Sequence, residues 1–316
     1  MREHDAEPSG SRTMVIVNPT AGTTTPALMD DVLSLCRHHG RTATVHRTSG
    51  RGDATEAVTG SGLGPADLVL VIGGDGTVLE VARGLLALDT DRRPTLFAVP
   101  GGTGNSGYRM LWGRRPWSAA LSAVVRRTDD GAAAIRRVDM ARLVETDDLV
   151  LLGACAGLFA DALITARSST RRGWARYEEA LATTAARFDP VPARVTVDGT
   201  VIHKGEIVLA NVGGGRHRAG QYQLLPDSLI DDGQLDVCVI GADGGATAML
   251  ALTRTGDHVG RPSVTYGRGR RIAVEHLDGT ALCFEHDGEV YPGASPTMTL
   301  DVVPGALPMW GAEVAR

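Results

Sequence analysis

The most constraining feature of this sequence is the apolar run Asp67-Leu68-Val69-Leu70-Val71-Ile72, which ends directly in the segment Gly73-Gly74-Asp75-Gly76-Thr77. A strand that is apolar on both faces is typical of a parallel sheet covered by helices. After Thr77 the apolar residues recur three and four positions apart, which predicts one buried stripe of a helix. A strand, a glycine turn and a helix in this order predict a doubly wound α/β layer.

The same alternation extends over the first half of the chain. We expect further strands at 14–17, 42–46 and 95–99, and helices near 26–39 and from 53 to 58. Ligands of such sheets bind beyond the carboxyl ends of the strands. Residues 13–138 are therefore predicted to form a nucleotide-binding α/β domain.

The second half of the chain has a different pattern. From about Asp139, short alternating segments are separated by Asp-Gly pairs, as at Asp198-Gly199 and Asp278-Gly279, which are typical of hairpin turns. Only one helical stretch, 174–187, stands out here. We predict a mainly antiparallel β domain for the substrate over 139–299, a disordered tail over 1–12, and a C-terminal segment, 300–316, that is a candidate to return to the first domain.

Composition excludes several classes of partner. The chain has 32 basic and 37 acidic residues, a net charge of −5, so it has no general attraction for nucleic acid. Its 4 Phe, 4 Trp and 5 Tyr are too few for a base-stacking platform. The one lysine is Lys204, so no lysine grips phosphate in the first half, and a Walker A motif is absent.

The cysteines and the apolar segments bear on the compartment. Cys36, Cys155, Cys238 and Cys283 form no C-x-x-C pair, which indicates buried free thiols in a reducing environment and no zinc site. The longest apolar stretch, 149–160, is too short to span a membrane. The polar start of the chain does not resemble a signal peptide. We expect a cytoplasmic protein with, at most, peripheral contact at the inner membrane face.

Three loops that follow strands of the first domain are candidate phosphate sites. They are loop 1 (Asn18-Pro19-Thr20-Ala21-Gly22), loop 2 (Gly73 to Thr77) and loop 3 (Pro100-Gly101-Gly102-Thr103-Gly104-Asn105). Glycines let backbone N–H groups approach phosphate oxygens, and a helix N-terminus adds partial positive charge. Because a carboxylate repels phosphate, Asp75 is expected to hold Mg²⁺. One such turn is often only a turn, but three at one sheet edge favour a nucleotide site.

These loops, together with later motifs, resemble the diacylglycerol kinase catalytic family, which groups bacterial lipid kinases with sphingosine and ceramide kinases. The match covers nearly the whole chain after the first dozen residues. Its further elements are Thr48 with Gly52-Asp53-Ala54, Asp139 in Arg-Val-Asp-Met, the segment from Pro226 through Asp231-Asp232-Gly233 to Asp236, and Asp287-Gly288-Glu289.

The resemblance implies roles for individual residues. Asp75 and Asp139 would join a water-linked Mg²⁺ network, and Asp232, with the backbone carbonyls of Leu229 and Gln234, would form a structural Mg²⁺ site. Asp287 would be the general base for the acceptor hydroxyl, with Glu289 as its close rival. The implied ATP contacts are Asn18, Pro19, Thr20, Ala21, Gly22, Thr48, Gly73, Gly74, Asp75, Gly76, Thr77, Val78, Leu79, Thr103 and Asn105.

The chain departs from the family pattern at three places. Ser106 follows Asn105 where many bacterial members have aspartate, which removes one carboxylate from the metal network. Loop 1 continues as Gly22-Thr23-Thr24 without a second glycine, and the glycines between Gly213 and Gly220 are spaced differently.

Together, the residues and the resemblance predict an ATP- and Mg²⁺-dependent kinase that transfers the γ-phosphate to a hydroxyl of diacylglycerol or a similar lipid alcohol. Two alternatives stay open. NAD kinase shares the Gly-Gly-Asp-Gly-Thr loop, although the Gly-x-Leu-Gly-Phe and Asn-Glu segments that usually follow it do not occur at the corresponding positions of this sequence. A nucleotide- or lipid-binding protein without turnover is suggested by Ser106.

The partners are less sharply defined. Four arginines surround Trp174, which indicates either a solvated helical face or a basic patch for anionic headgroups. We expect a transient membrane-surface contact and a homodimer. The arginines are Arg167, Arg171, Arg172 and Arg176.

Overall fold

A computed structural model describes residues 12–126, 133–171, 173–291 and 293–313 of the chain. The chain divides into two compact units. Unit 1 comprises residues 1–102, 111–136 and 307–316, and unit 2 comprises 103–110 and 137–306. Arg172 and the predicted tail, except for Arg12, lie outside the described residues.

Unit 1 contains a parallel sheet whose strands are paired in the order β2-β1-β3-β4. All six residues of β3 are buried, as expected for a strand that is covered on both faces. The last strand of the chain adds a parallel pair between Met309 and Leu96. The four strands are β1 (Thr13–Val17), β2 (Ala43–Arg47), β3 (Leu68–Gly73) and β4 (Thr95–Pro100).

Helices follow these strands. The first begins where Thr25 Oγ1 accepts a hydrogen bond from Leu28 N and Pro26 occupies the first turn, as a helix start favours. The third buries the predicted stripe of apolar residues. The helices are α1 (Pro26–His38), α2 (Asp53–Thr59), α3 (Asp75–Leu86), α4 (Ser106–Trp112), which has residues in both units, and α5 (Trp117–Arg126), with a 3₁₀ turn at Thr90–Arg92.

Unit 2 is built mainly from antiparallel strands. They are paired in the order β14-β13-β7-β9-β8-β12-β15, and β9 also pairs with β10, which pairs with β11. The strands are β5 (Ala134–Leu143), β6 (Asp148–Val150), β7 (Ala154–Gly157), β8 (Val191–Val197), β9 (Thr200–Gly213), β10 (Leu235–Gly241), β11 (Val264–Gly269), β12 (Arg271–His276), β13 (Phe284–His286), β14 (Glu289–Val290) and β15 (Thr297–Gly311).

The expectation of one helix in the second half was wrong, because unit 2 also forms α6 (Leu158–Ala166) and α8 (Ala246–Thr253) beside α7 (Gly173–Ala185). Both missed helices are short and almost entirely apolar, so they lack the polar face that makes a helical period visible. Among the described residues, no helix is long and apolar enough to cross a bilayer.

The strands of unit 2 separate two apolar clusters. Ala154 and Ala156 of β7 face one cluster, which lies among the strands, whereas Cys155 between them faces a second cluster that includes residues of α6, α7 and α8. This alternation is the period of two that a sheet buried on both faces requires. All four cysteines are free and three are buried, as predicted. The predicted α/β fold with a β-rich second part is confirmed.

Candidate functional site

The three glycine loops leave the carboxyl edge of the parallel sheet in unit 1. Val17 pairs with Ile72 and Gly73 with Pro100, so neighbouring strands end side by side. Loop 1, loop 2 and the first residues of loop 3 therefore meet at the edge where ligands of such sheets bind.

Asn18 connects loop 1 to loop 2. Its Nδ2 donates to Thr77 Oγ1 at 3.0 Å, while its Oδ1 accepts from N and Oγ1 of Thr20 at 3.0 and 2.8 Å. One carboxamide thus holds both the conformation of loop 1 and its position beside α3.

Loops 2 and 3 contact each other through their backbones. Gly101 N donates to Gly73 O at 2.9 Å, and a Cβ on Gly74 would lie 3.2 Å from the Cα of Gly102. Thr23, which stands where a second glycine is absent from loop 1, donates from N to Gly101 O at 2.8 Å and from Oγ1 to Gly102 O at 3.3 Å. The departure at Gly22-Thr23-Thr24 therefore adds a link between loops 1 and 3.

The N-terminus of α3 lies in loop 2. Gly74 is its N-cap and makes no side-chain capping bond, which leaves a helix start of the kind that attracts phosphate. Asp75 is half-buried in the first turn. Val78 and Leu79, 2% and 6% exposed, pack beneath the loop.

The turn after β2 is tied to the end of β1. Thr48 donates from N and Oγ1 to Val17 O at 2.9 and 3.4 Å. Asp53, the first residue of α2, accepts from Ser49 N at 2.6 Å and Ser49 Oγ at 2.8 Å and contacts His46 Nε2 at 2.8 Å. The Ser49 hydrogen bonds, aided by His46, lower the pKa of Asp53 to about 2.

The end of loop 3 and the start of α4 belong to unit 2. Thr103 is exposed, and Asn105, with φ +51°, accepts from Arg109 N at 3.1 Å as α4 begins. Ser106, 2% exposed, accepts from Gly220 N at 3.2 Å, and Arg109 Nη1 donates to Gly220 O at 2.7 Å. Ser106 thus anchors the segment whose glycine spacing differs from the family.

Asp139 is enclosed by backbone donors. Only 4% exposed, it accepts from Gly305 N at 2.6 Å and Gly233 N at 2.7 Å, one on each oxygen. Burial raises its pKa, and the negative charges of Asp232 and Asp231 act in the same direction, against the backbone donors. Through these contacts Asp139 links the backbone at Gly233 to that at Gly305. Its part in a metal network stays a prediction.

Asp232 lies in the turn that carries the predicted structural metal. Its Oδ1 accepts from Gln234 N at 3.0 Å, and its Oδ2 is 3.6 Å from Arg268 Nη1. Leu229 is 43% exposed. Within the described ranges, no three His, Cys, Asp or Glu side chains are grouped to hold a metal, so an ion here would need backbone carbonyls and water.

Asp287 and Gly288 form the two-residue turn of a hairpin. His286 of β13 pairs with Glu289 of β14, and the turn residues have φ +48° and +87°. Such paired positive angles match the right-handed twist of the strands, which is why Asp-Gly is favoured there. Glu289 is exposed at the start of β14.

The Asp287 carboxylate is held on both oxygens. Oδ2 accepts from Leu151 N at 2.8 Å and Oδ1 from Leu152 N at 2.7 Å, while Asp287 N donates to Gly153 O at 3.1 Å. Each oxygen retains a second lone pair, so the carboxylate is oriented and still able to accept a proton.

Sequence reasoning missed the buried ion pair of Arg218 and Glu285, whose side chains are 5% and 4% exposed. Arg218 Nη1 donates to Gly153 O at 2.9 Å, and Glu285 Oε2 accepts from Gly288 N at 2.9 Å. Burial raises the pKa of Glu285, and the Arg218 charge opposes this. The available signal was a glutamate inside an apolar run, two positions before Asp287.

Comparisons with known proteins identify a family and relatives for this chain. The model of the diacylglycerol kinase catalytic domain matches residues 12–136, and that of the YegS C-terminal NAD kinase beta sandwich-like domain matches residues 155–311. A diacylglycerol kinase of Bacillus subtilis is 28% identical over 289 residues, 90% of this chain and 91% of the relative. One of Mycobacterium tuberculosis is 29% identical over 232 residues, 69% and 71% of the two chains.

Among solved structures, a diacylglycerol kinase from Bacillus anthracis aligns with a TM-score of 0.68 at 22% identity, over 96% of this chain and 97% of its own. This similarity concerns the fold. The two family matches together cover most of the chain, which confirms the expected ATP-dependent lipid kinase at the level of the family. The chain therefore carries a diacylglycerol kinase catalytic domain, matched over residues 12–136, and a YegS C-terminal-like domain, matched over residues 155–311.

Proposed function

We propose that this chain phosphorylates a hydroxyl of diacylglycerol or a similar lipid alcohol, using Mg²⁺-ATP bound at the three glycine loops. The observation that carries the proposal is the direct backbone contact among these loops at the carboxyl edge of the parallel sheet, beside the uncapped start of α3. Phosphoryl transfer depends mainly on positioning and charge neutralisation, which such a rigid cradle of N–H groups supplies.

The loops divide the work of binding ATP. Loop 2 would offer its N–H groups and the α3 N-terminus to the phosphates, and loop 1, fixed by Asn18, would cover them. Thr48, tied to Val17, would complete the nucleotide site from the end of β2. The exposed Thr103 at the end of loop 3 stays a predicted ATP contact.

Magnesium has two proposed places. Asp75, in the first turn of α3, would bridge to phosphates through the ion. Asp232 with the carbonyls of Leu229 and Gln234 is an all-oxygen set, and the neighbouring carboxylates outnumber the single Arg268, which suits a divalent cation. Bound Mg²⁺ would neutralise phosphate charge at the first place and brace the turn at the second.

Asp287 is the proposed base. The held carboxylate would take the proton of the acceptor hydroxyl as the hydroxyl oxygen bonds to the γ-phosphorus. The bond from the γ-phosphorus to the β–γ bridging oxygen breaks, and ADP leaves. Asp287 is favoured over Glu289 because two backbone donors fix its orientation, whereas Glu289 is exposed on β14.

We also propose a transient contact of unit 2 with the membrane surface. Arg167 and Arg171 lie between α6 and α7, and Ile164 is 46% exposed, which supports contact with anionic headgroups. Trp174 packs instead into the second apolar cluster with Tyr177, and Arg171 pairs with Glu179 at 3.1 Å. A homodimer stays a prediction.

The test is a transfer assay with labelled ATP and a panel of diacylglycerols, sphingoid bases, polyprenols and NAD. We expect label in a lipid hydroxyl and its loss in Asp287→Asn. Label in NAD would favour the NAD kinase alternative, and ATP binding by calorimetry without any labelled product would favour a binding protein.

Asp198→Asn is the matched control for Asp287→Asn. Asp198 also begins an Asp-Gly turn, with φ +47°, and also accepts two backbone N–H groups, from Arg270 and Arg271. In Asp287→Asn an amide NH₂ replaces one of the two acceptor oxygens and should cost stability on the order of 1–3 kcal/mol, whereas in Asp198→Asn the Oδ1 atom that both donors reach is kept, so the loss should be smaller. Only the Asp287 variant should lose transfer, and equal losses in both would refute a role as base.

A further inference from the structure

The Arg218–Glu285 pair holds the Asp287 turn from two sides. Gly153 O accepts both from Arg218 Nη1 at 2.9 Å and from Asp287 N at 3.1 Å, so the arginine and the turn share one carbonyl. On the other side, Glu285 Oε2 accepts from Gly288 N at 2.9 Å. The pair therefore contacts the turn itself at Gly288 and the Gly153 carbonyl to which the turn is hydrogen-bonded.

The conformation that these contacts hold is one that a non-glycine residue rarely adopts. Asp287 has φ +48°, in the left-handed region. Asp-Gly is favoured in such a hairpin turn, and the contacts of Arg218 and Glu285 add to what keeps this turn in place. In this arrangement the carboxylate accepts hydrogen bonds from Leu151 N and Leu152 N at 2.8 and 2.7 Å.

Charge is the second link between the pair and the turn. One cation, Arg218, is close to the two carboxylates of Glu285 and Asp287; the Cys155 thiol and the Tyr177 phenol are also near it, and His286 and Glu289 flank the turn. Burial raises the pKa of both the thiol and the phenol, so these two groups stay neutral near pH 7. Arg218 is therefore the charge that balances the two acids.

We propose that Arg218 and Glu285 are positioning residues that set the backbone geometry and the charge of the Asp287–Gly288–Glu289 turn for phosphoryl transfer. The catalytic part of this inference rests on the proposed function, in which Asp287 takes the hydroxyl proton. The geometric part does not, because it concerns the conformation of the turn itself.

The test compares Glu285→Gln and Arg218→Gln with the wild type. We expect kcat to fall roughly 10- to 100-fold in each, because a slightly displaced base loses alignment, while the KM for ATP stays within about twofold. In Glu285→Gln the negative charge is lost and Arg218 remains, which favours the ionised form of the acid that limits kcat at low pH. The acid limb of the plot of kcat against pH should therefore move to lower pH. Removing Arg218 should move it to higher pH, each by about one unit.

Glu275→Gln is the matched control. It neutralises the acid of another ion pair in unit 2, with Arg194 across β8 and β12, where both side chains are about two-fifths exposed. Its kcat and pH profile should equal those of the wild type. Arg218→Lys, which keeps the charge, should place the acid limb nearer to the wild-type position than Arg218→Gln does.

Hydrogen exchange of the turn provides a readout without activity. Amide hydrogen exchange of residues 284–291 and 150–153 should accelerate roughly tenfold or more in Glu285→Gln. Residues 196–201, which contain the separate Asp198 turn, serve as the internal control and should exchange at an unchanged rate. A protein with slow exchange at the turn, unchanged kcat and an unmoved acid limb would overturn the proposal. The proposal would also be overturned if the acid limb of the kcat profile moved in the same direction in Glu285→Gln and Arg218→Gln.

The two proposals fail in distinguishable ways. If the wild type transfers no phosphate to any acceptor, the proposed function falls and the catalytic role of the pair with it. Exchange that accelerates at the turn in Glu285→Gln would then still support the geometric part, and exchange that stays slow would overturn that part as well. A folded Glu285→Gln protein is recognised by cooperative melting, and Arg218→Gln supplies the same exchange and kcat measurements if Glu285→Gln does not fold.

Discussion

Asn18 Nδ2 donates a hydrogen bond to Thr77 Oγ1 at 3.0 Å, linking the first loop after β1 to the first turn of α3. The two residues are 59 positions apart in the chain. The same carboxamide accepts two hydrogen bonds from Thr20. An amide with three partners on two loops is suited to hold those loops at a fixed separation before any ligand arrives.

Asn18→Ala should therefore weaken nucleotide binding more than the chemical step. Losing one bridging side chain at about 1–1.5 kcal/mol corresponds to roughly a five- to tenfold weaker Kd for ATP. Calorimetry measures this directly. Thr55→Val is the control, since Thr55 Oγ1 donates to Glu80 O between α2 and α3, away from the loops. Equal affinity in Asn18→Ala and the control would contradict the bridging role.

Gly101→Ala should destabilise unit 1 at the contact of loops 2 and 3. A Cβ at this position would lie 2.9 Å from Gly73 N, a backbone atom that cannot turn aside. We expect a loss of roughly 1–3 kcal/mol in the free energy of unfolding, as for other overpacked sites. Denaturant titration checks it against Gly64→Ala, where a Cβ meets nothing within 4 Å and the change should stay within about 0.5 kcal/mol.

Ser106→Ala should cost stability in unit 2 because Gly220 N would lose its buried acceptor. An unsatisfied buried N–H costs about 1–3 kcal/mol. Ser34→Ala, at an exposed position of α1, should leave stability unchanged or slightly raise it, since alanine favours helix. Thermal melting of both variants decides the matter. Equal melting temperatures would mean that the Ser106 bond contributes nothing.

The nucleotide half of the fold was predictable because its signals are local. Buried β3 and the stripe of α3 each follow from a short window of residues, and the loops sit between them. The missed α6 shows the limit of such windows. Its buried face is apolar and its outer face carries Leu163 and Ile164 beside Asp161 and Thr165, so the spacing gives little to distinguish a helix from a buried strand.

The contacts of the candidate site were less predictable than its residues. Asp287 was named from a motif, yet the groups that hold it come from Leu151, Leu152 and Glu285, and Arg218 acts on the same turn. The separations of 136 and 135 residues between Asp287 and its backbone donors Leu151 and Leu152 leave no periodic signal. Asp139 is similar, because its two backbone donors lie far along the chain.

Magnesium should stabilise the chain through Asp232 in the absence of nucleotide. At ten times its Kd, an ion that binds only the folded state adds about 1.4 kcal/mol. We expect a higher melting temperature with Mg²⁺ than with a chelator, and no such difference in Asp232→Asn. Asp243→Asn, at an exposed residue of unit 2, should keep the response. A response that survives in Asp232→Asn would place the ion elsewhere.

His258 should make the chain less stable as the pH falls. Its side chain is fully buried, Nε2 lies 3.2 Å from Leu224 O, and burial lowers its pKa below the unfolded value of about 6.5. Below that pH the unfolded chain binds the extra proton, so the free energy of unfolding decreases towards pH 5, by up to about 1.4 kcal/mol per pH unit. In His258→Gln this slope should be smaller, although His203 and His217, whose pKa values burial also lowers, retain part of it.

Denaturant titrations at pH 7 and pH 5 measure the slope, with His38→Gln on the exposed face of α1 as the control. Identical slopes in His258→Gln and the wild type would show that His258 is not the group that takes up the proton.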